Sequence, residues 1–184
     1  MRVWTTAVVT AMTAASLAFA ARNVMAEAEP APLELAQAGR SAPNFVGVTQ
    51  WFNSDPLSIE GLRGKVVMVN FWTYGCYNCV NALPHVRKLY EKYKDSGFVV
   101  VGVHTPEFPR EKSAANVQSA IKRHGITYPV AQDNDYATWK NYGNRYWPAQ
   151  YIIDRSGRIV FTHAGEGEYD TMDRTVQKLV AASS

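Results

Sequence analysis

Cysteine is scarce in this chain, and its scarcity is informative. Only Cys76 and Cys79 occur in 184 residues. The one bridge they can form closes so small a loop that it removes little unfolded-state entropy, which makes it a poor staple but a usable redox switch. No second Cys-x-x-Cys and no paired histidines accompany them, so a four-ligand zinc site is not available; neither a metal nor a cofactor is called for. Lys and Arg form no cluster, which argues against nucleic acid as a partner, because phosphate neutralisation dominates that kind of affinity. Beyond the first 26 residues no stretch is apolar and long enough to cross a bilayer. No cysteine follows the N-terminal apolar run to carry a lipid.

That N-terminus has the layout of a secretory signal peptide: Met1-Arg2, an apolar run over residues 7–20, then small residues at candidate cleavage points. Val24-Met25-Ala26 before Glu27 fits the small-x-small rule, and Ala18-Phe19-Ala20 is a second site. An uncleaved anchor is the competing reading, but Thr10, Thr13 and Ser16 dilute the run. Cleavage after Ala26 would remove Arg2 and Arg22 and no acid from the nineteen basic and sixteen acidic residues, leaving a nearly neutral chain. The expected organisation is a signal peptide over 1–26, an Ala/Pro/Glu-rich tether over 27–42 and one compact domain over 43–184. No stable membrane insertion is expected after cleavage.

Within the domain, residues 46–52 and 57–59 read as short outer strands and residues 66–72, Val-Val-Met-Val-Asn-Phe-Trp, as a central strand covered on both faces. Apolar positions Val80, Leu83, Val86, Tyr90 and Tyr93 recur at helical spacing over residues 77–94. A buried strand over 98–103, a helix over 110–124, a strand beginning at 128, a short helix over 136–142, a hairpin turning at Asp154-Arg155-Ser156-Gly157 and a helix over 171–182 follow. This order predicts an α/β fold, a central mixed sheet with helices on both faces.

Cys76-Tyr77-Asn78-Cys79 stands where the buried strand passes into the first helix. That position puts the Cys76 sulfur at a helix N-terminus, where unpaired N–H groups and the helix dipole favour thiolate. Cys76 is therefore the expected nucleophile. Cys79, about one turn on and deeper, is suited to resolving a mixed disulfide.

Residues 71–84, Phe-Trp-Thr-Tyr-Gly-Cys-Tyr-Asn-Cys-Val-Asn-Ala-Leu-Pro, resemble the active-site signature of thioredoxin-like proteins, and most of all the exported branch containing TlpA, ResA and the extracytoplasmic domain of DipZ. Residues 102–108 and 146–154 are similar to segments of the DipZ-like subgroup. The resemblance implies a thioredoxin fold with an N-terminal strand extension and an inserted helix. It implies that Pro148 is a cis-proline facing the sulfurs and that the Trp147 backbone pairs with extended substrate. Tyr77 and Asn78, between the cysteines, join Trp147 and Pro148 as expected substrate contacts. Disulfide-containing exported proteins are the implied substrates and a membrane electron carrier the implied donor.

Four departures from the family pattern bear on mechanism. Gly75 stands where thioredoxins usually have Trp, and Asn78 where they have Pro. Asn70 and Ala82 occupy the two positions where relatives carry a buried acid, so the usual proton relay is missing; Glu107, in the loop after a central strand, is the expected substitute base. His104 either orders that loop or simply packs. Two other functions compete: a peroxiredoxin-like peroxidase, because Thr73-x-x-Cys76 imitates a peroxidatic motif, although Val69 stands where that motif has Pro; and a Sco-like copper carrier using both thiolates and His163, although Sco proteins space their cysteines by three residues.

Overall fold

The computed structural model describes Met1 and residues 39–182. The apolar run, both cleavage sites and most of the tether lie outside the described residues. Six strands form one sheet: β1 (Gln50–Phe52), β2 (Val66–Trp72), β3 (Phe98–His104), β4 (Val130–Gln132), β5 (Ala149–Ile153) and β6 (Ile159–Ala164), in the spatial order β1-β4-β3-β2-β5-β6. β2 pairs parallel with β3 and antiparallel with β5; β3 pairs parallel with β4; β1 and β6 close the two edges antiparallel. The helices are α1 (Tyr77–Tyr93), α2 (Ala114–Arg123), α3 (Ala137–Asn141) and α4 (Tyr169–Ala181). No helix among the described residues is long and apolar enough to cross a membrane.

Every residue of β2 is buried, as a continuous apolar strand covered on both faces must be. Val66, Met68 and Trp72 face a core built with Leu83 and Val86 of α1, Val117 and Ile121 of α2, and Met172 and Val176 of α4. Val67, Val69 and Phe71 face the opposite core, where Trp139, Tyr142 and Tyr151 surround the Phe71 ring edge-on at 5.4–5.7 Å. Each such side chain, fully buried, stabilises the fold by roughly 1.5–3 kcal/mol. α1 runs over the expected residues, but Leu89 is buried in it while Tyr90 is only half-buried, its ring edge-on to Tyr128. α1 stops through a single 3₁₀ turn at Gly97, whose φ of 84° a side chain would strain.

Three segments differ from the sequence expectation. Residues 57–59 form no strand: the Ile59 N–H donates to the Asn44 side chain at 3.0 Å, so a side-chain oxygen replaces a ladder partner. The helix expected over 110–124 is broken at Ser113, which caps α2 by accepting from the Asn116 N–H, leaving Pro109–Lys112 as a separate 3₁₀ turn. Residues 39–42, read as tether, bond to the start of β6 and the turn before it: Gly39 N–H to Ile159 O, Ile159 N–H to Arg40 O, and Ala42 N–H to Gly157 O. Such backbone pairing needs no apolar period.

Candidate active site

β2 ends at Trp72, and the chain reaches α1 through Thr73-Tyr74-Gly75-Cys76. Cys76 is the N-cap of α1, with extended backbone, and its Sγ accepts the Cys79 N–H at 3.3 Å. A sulfur thus takes the capping role usually filled by an oxygen. No acid stands in the first helical turn, so the positive end of the dipole is left to the thiolate. Both cysteines are free thiols, Cys76 half-buried and Cys79 1% exposed. The hydrogen bond from the Cys79 side chain, aided by the Cys79 and Asn78 N–H groups, lowers the Cys76 pKa from 9.0 to about 7 against partial burial and the Glu107 charge. Burial, and then the hydrogen bond to Cys76, push the Cys79 thiol far upward, opposed by a hydrogen bond from the Thr73 backbone N–H. The two sulfurs are therefore unequal: one half-buried and acidic, the other fully buried and protonated.

Behind this turn lies a buried polar cluster. Thr73 is fully buried, and its hydroxyl donates to Glu111 Oε2 at 2.6 Å. Because that proton goes to Glu111, the His104 Nε2 at 3.3 Å from the same hydroxyl is the donor, which fixes the ring as the Nε2–H tautomer. Burial lowers the His104 pKa to about 4, although the Glu111 charge opposes it, so the ring is neutral at neutral pH. Trp72 meets the His104 ring edge-on at 5.2 Å and Tyr74 stacks on it at 5.5 Å. Glu111 Oε2 also accepts from the Glu107 N–H at 2.7 Å and the Phe108 N–H at 3.2 Å. The sequence reading missed Glu111. It lies four residues past Glu107 in a 3₁₀ turn that swings it back beneath the cysteine loop, and the one available clue was the lack of a side chain at Gly75.

The expected site residues fall in distinct settings. Tyr77 and Asn78 are exposed, Tyr77 by 77%. Glu107 is exposed, and its charge raises the pKa of both thiols. Pro148 is buried and the Trp147–Pro148 bond is cis. The Trp147 indole is packed in place: it donates to Thr105 O at 3.1 Å and lies 4.2 Å from the Trp139 ring. Trp147 and Cys76 both pack on the core that contains Cys79. Asn70, on β2 below the cysteines, is 1% exposed and accepts from the Gln150 side chain at 3.2 Å. Phe108 and Tyr146 are exposed aromatics in the loops before α2 and before β5, although Tyr146, like Trp51, Tyr142 and Tyr151, reads from the sequence as a core aromatic.

A profile of the Redoxin family matches residues 37–180. The chain belongs to the Redoxin family. Protein DipZ of Mycobacterium tuberculosis (strain CDC 1551 / Oshkosh) is 48% identical over 143 residues, which make up 76% of this chain and 21% of DipZ. The chain thus spans about a fifth of that relative's length. Thiol-disulfide oxidoreductase ResA of Bacillus thuringiensis (strain Al Hakam) is 30% identical over 146 residues, 79% of this chain and 80% of ResA. Among solved structures, a thiol-disulfide isomerase from Corynebacterium glutamicum superposes with a TM-score of 0.69 at 29% identity, covering 77% of this chain and 98% of that one. A thioredoxin-like protein in its oxidised form superposes with a TM-score of 0.71 at 28% identity, covering 79% and 98%. This Redoxin chain has the thioredoxin-like fold.

Proposed function

We propose that this Redoxin chain is exported, to a periplasm or an equivalent compartment, and there reduces or exchanges disulfides in other exported proteins, with a membrane electron carrier as its donor and no nucleic-acid partner. The observation that carries the reading is the inequality of the two sulfurs, which suits Cys76 to attack and Cys79 to resolve. The Cys76 thiolate attacks one sulfur of the substrate disulfide, forming a mixed disulfide and releasing one substrate thiolate. The Cys79 thiolate then attacks Cys76 Sγ, which releases the second substrate thiolate and leaves the Cys76–Cys79 disulfide. Reduction by the donor restores both thiols.

Tyr77, Asn78, Trp147 and Pro148 are the proposed substrate contacts. The fixed Trp147 indole supports a backbone role for that residue, because its side chain is already committed to Thr105 and Trp139. Glu107 is the proposed base that takes the Cys79 proton; its exposure fits transfer through a water rather than direct contact. Export rests on the leader-like first 26 residues. The peroxidase alternative is weakened because the Thr73 hydroxyl is turned inward to Glu111 and His104.

The reading is tested by pH-dependent alkylation and by trapping. Iodoacetamide should label Cys76 in the native reduced protein with a rate that rises through pH 7 and should leave Cys79 unlabelled. Cys79→Ser expressed with its leader should accumulate mixed disulfides with exported proteins on Cys76. Preferential labelling of Cys79, or a catch of cytosolic proteins only, would overturn it.

A further inference from the structure

Glu111 is a fully buried carboxylate outside the cysteine motif, and stability alone does not account for it. Burying a carboxylate costs several kcal/mol unless its oxygens find donors. Oε2 has three: the Thr73 hydroxyl, the Glu107 N–H and the Phe108 N–H. Oε1 has none, and it lies where a side chain on Gly75 would begin, 1.9 Å from an ideal Cβ there. The φ of Gly75 is not positive, so what the carboxylate requires at position 75 is empty space rather than a special backbone. The turn before Cys76 therefore accommodates Glu111 at the cost of a side chain of its own.

What Glu111 grips is informative. Thr73 is clamped on its hydroxyl from two sides, by Glu111 and by His104, and its backbone N–H is the group that works against the upward shift of the Cys79 thiol. The same carboxylate oxygen ties down the backbone of Glu107 and Phe108, the loop across from the cysteines. We propose that Glu111 is the positioning residue for the resolving step: by holding Thr73 it keeps the Thr73 amide on the sulfur of Cys79, and by holding the Glu107 N–H it keeps that loop over the pair. The inference rests on the assignment of Cys76 to attack and Cys79 to resolution. Attack does not depend on the grip, because Cys76 draws its support from the Cys79 and Asn78 N–H groups and from the Cys79 thiol. Resolution does, because Cys79 must become a thiolate in a buried site whose one favourable backbone donor is Thr73.

Stopped-flow reaction of the fully reduced protein with 5,5′-dithiobis(2-nitrobenzoate) separates the two steps. Cys76 attack releases the first thionitrobenzoate, and Cys79 attack on the resulting mixed disulfide releases the second. Glu111→Ala should slow the second release about tenfold or more, while the first stays within about twofold of the parent. Glu111→Gln, whose carbonyl oxygen can still accept the three donors, should restore the second release to within about threefold. Thr73→Val keeps the buried shape without the hydroxyl and should reproduce the Glu111→Ala defect, so the test survives if Glu111→Ala does not fold. Equal slowing of both releases would assign Glu111 a general structural role. A second release unchanged in both Glu111→Ala and Thr73→Val would remove it from the mechanism, and a Glu111→Gln protein as slow as Glu111→Ala would make it a proton carrier instead; each overturns the proposal. A missing first release would instead undo the assignment of Cys76 itself.

Discussion

The two halves of the central strands are buried alike and filled with opposite chemistry. At their beginnings, residues 66–69 of β2 and 98–101 of β3 are all apolar. At their ends stand Asn70, Thr73, His104 and Thr105, joined by Glu111 and Asp133 from neighbouring turns, all at 4% exposure or less. Close packing of hydrocarbon at one end anchors the fold. The polar end is stabilised only so far as its hydrogen bonds are complete, and they are not: His104 Nδ1 and Glu111 Oε1 have no partner. Stability and reactivity are therefore separable along the strand direction. The apolar end should answer mutation with lost stability and unchanged chemistry, and the polar end with altered chemistry, pH sensitivity or strain.

The comparison breaks first, if at all, at Met68, which is fully buried in the apolar half. Met68→Ala should lower unfolding free energy by about 2–5 kcal/mol in urea titrations, with the thionitrobenzoate release rates of the folded protein unchanged within about twofold. A matching loss of reactivity would show that the two ends are not independent.

A second prediction concerns pH. His104 has its folded pKa lowered to about 4 by burial, so the unfolded chain, titrating near 6.5, binds the proton more tightly. The His104 contribution is present in full above pH 6.5 and is lost as pH falls toward 4, by about 3 kcal/mol over the whole step. Urea midpoints at pH 7 and pH 4.5 should diverge more for the parent than for His104→Asn; parallel curves would mean that the polar end carries no such linkage.

The smallest expected effect is at Gly75. Gly75→Ala places a methyl group into Glu111 Oε1 and should cost about 1–3 kcal/mol as the carboxylate is displaced. Most of that should return in the double variant with Glu111→Ala, as read by a thermal-melt cycle. Additive losses would mean that the strain lies in the turn backbone rather than against Glu111.

Much of the framework is legible in the chain itself, for local reasons. β2 shows as an unbroken apolar stretch, α1 as a 3.6-residue period, and the reactive pair as a Cys-x-x-Cys at their junction. The polar cluster is not legible, because Thr73 meets His104 and Glu111 across 31 and 38 residues of chain, and no periodicity announces such contacts. Glu107 stood out because it follows the strand directly, whereas Glu111 is turned inward by a 3₁₀ turn that Pro109 opens and Ser113 ends before capping α2. Residues 57–59 look like a strand by composition, yet Asn44 supplies the acceptor that a neighbouring strand would have provided.

The chain's pairing along Gly39–Ala42 bears on a different hazard. A sheet edge offers unpaired N–H and C=O groups to any extended polypeptide that comes near. Here one edge strand, β1, is three residues long, and the first part of the other, β6, is already bonded by residues 39–42, with the Arg158 side chain donating to Gly39 O at 2.6 Å. A passing extended chain thus finds a short β1 and an already bonded start of β6, which narrows where it could add a strand to the sheet.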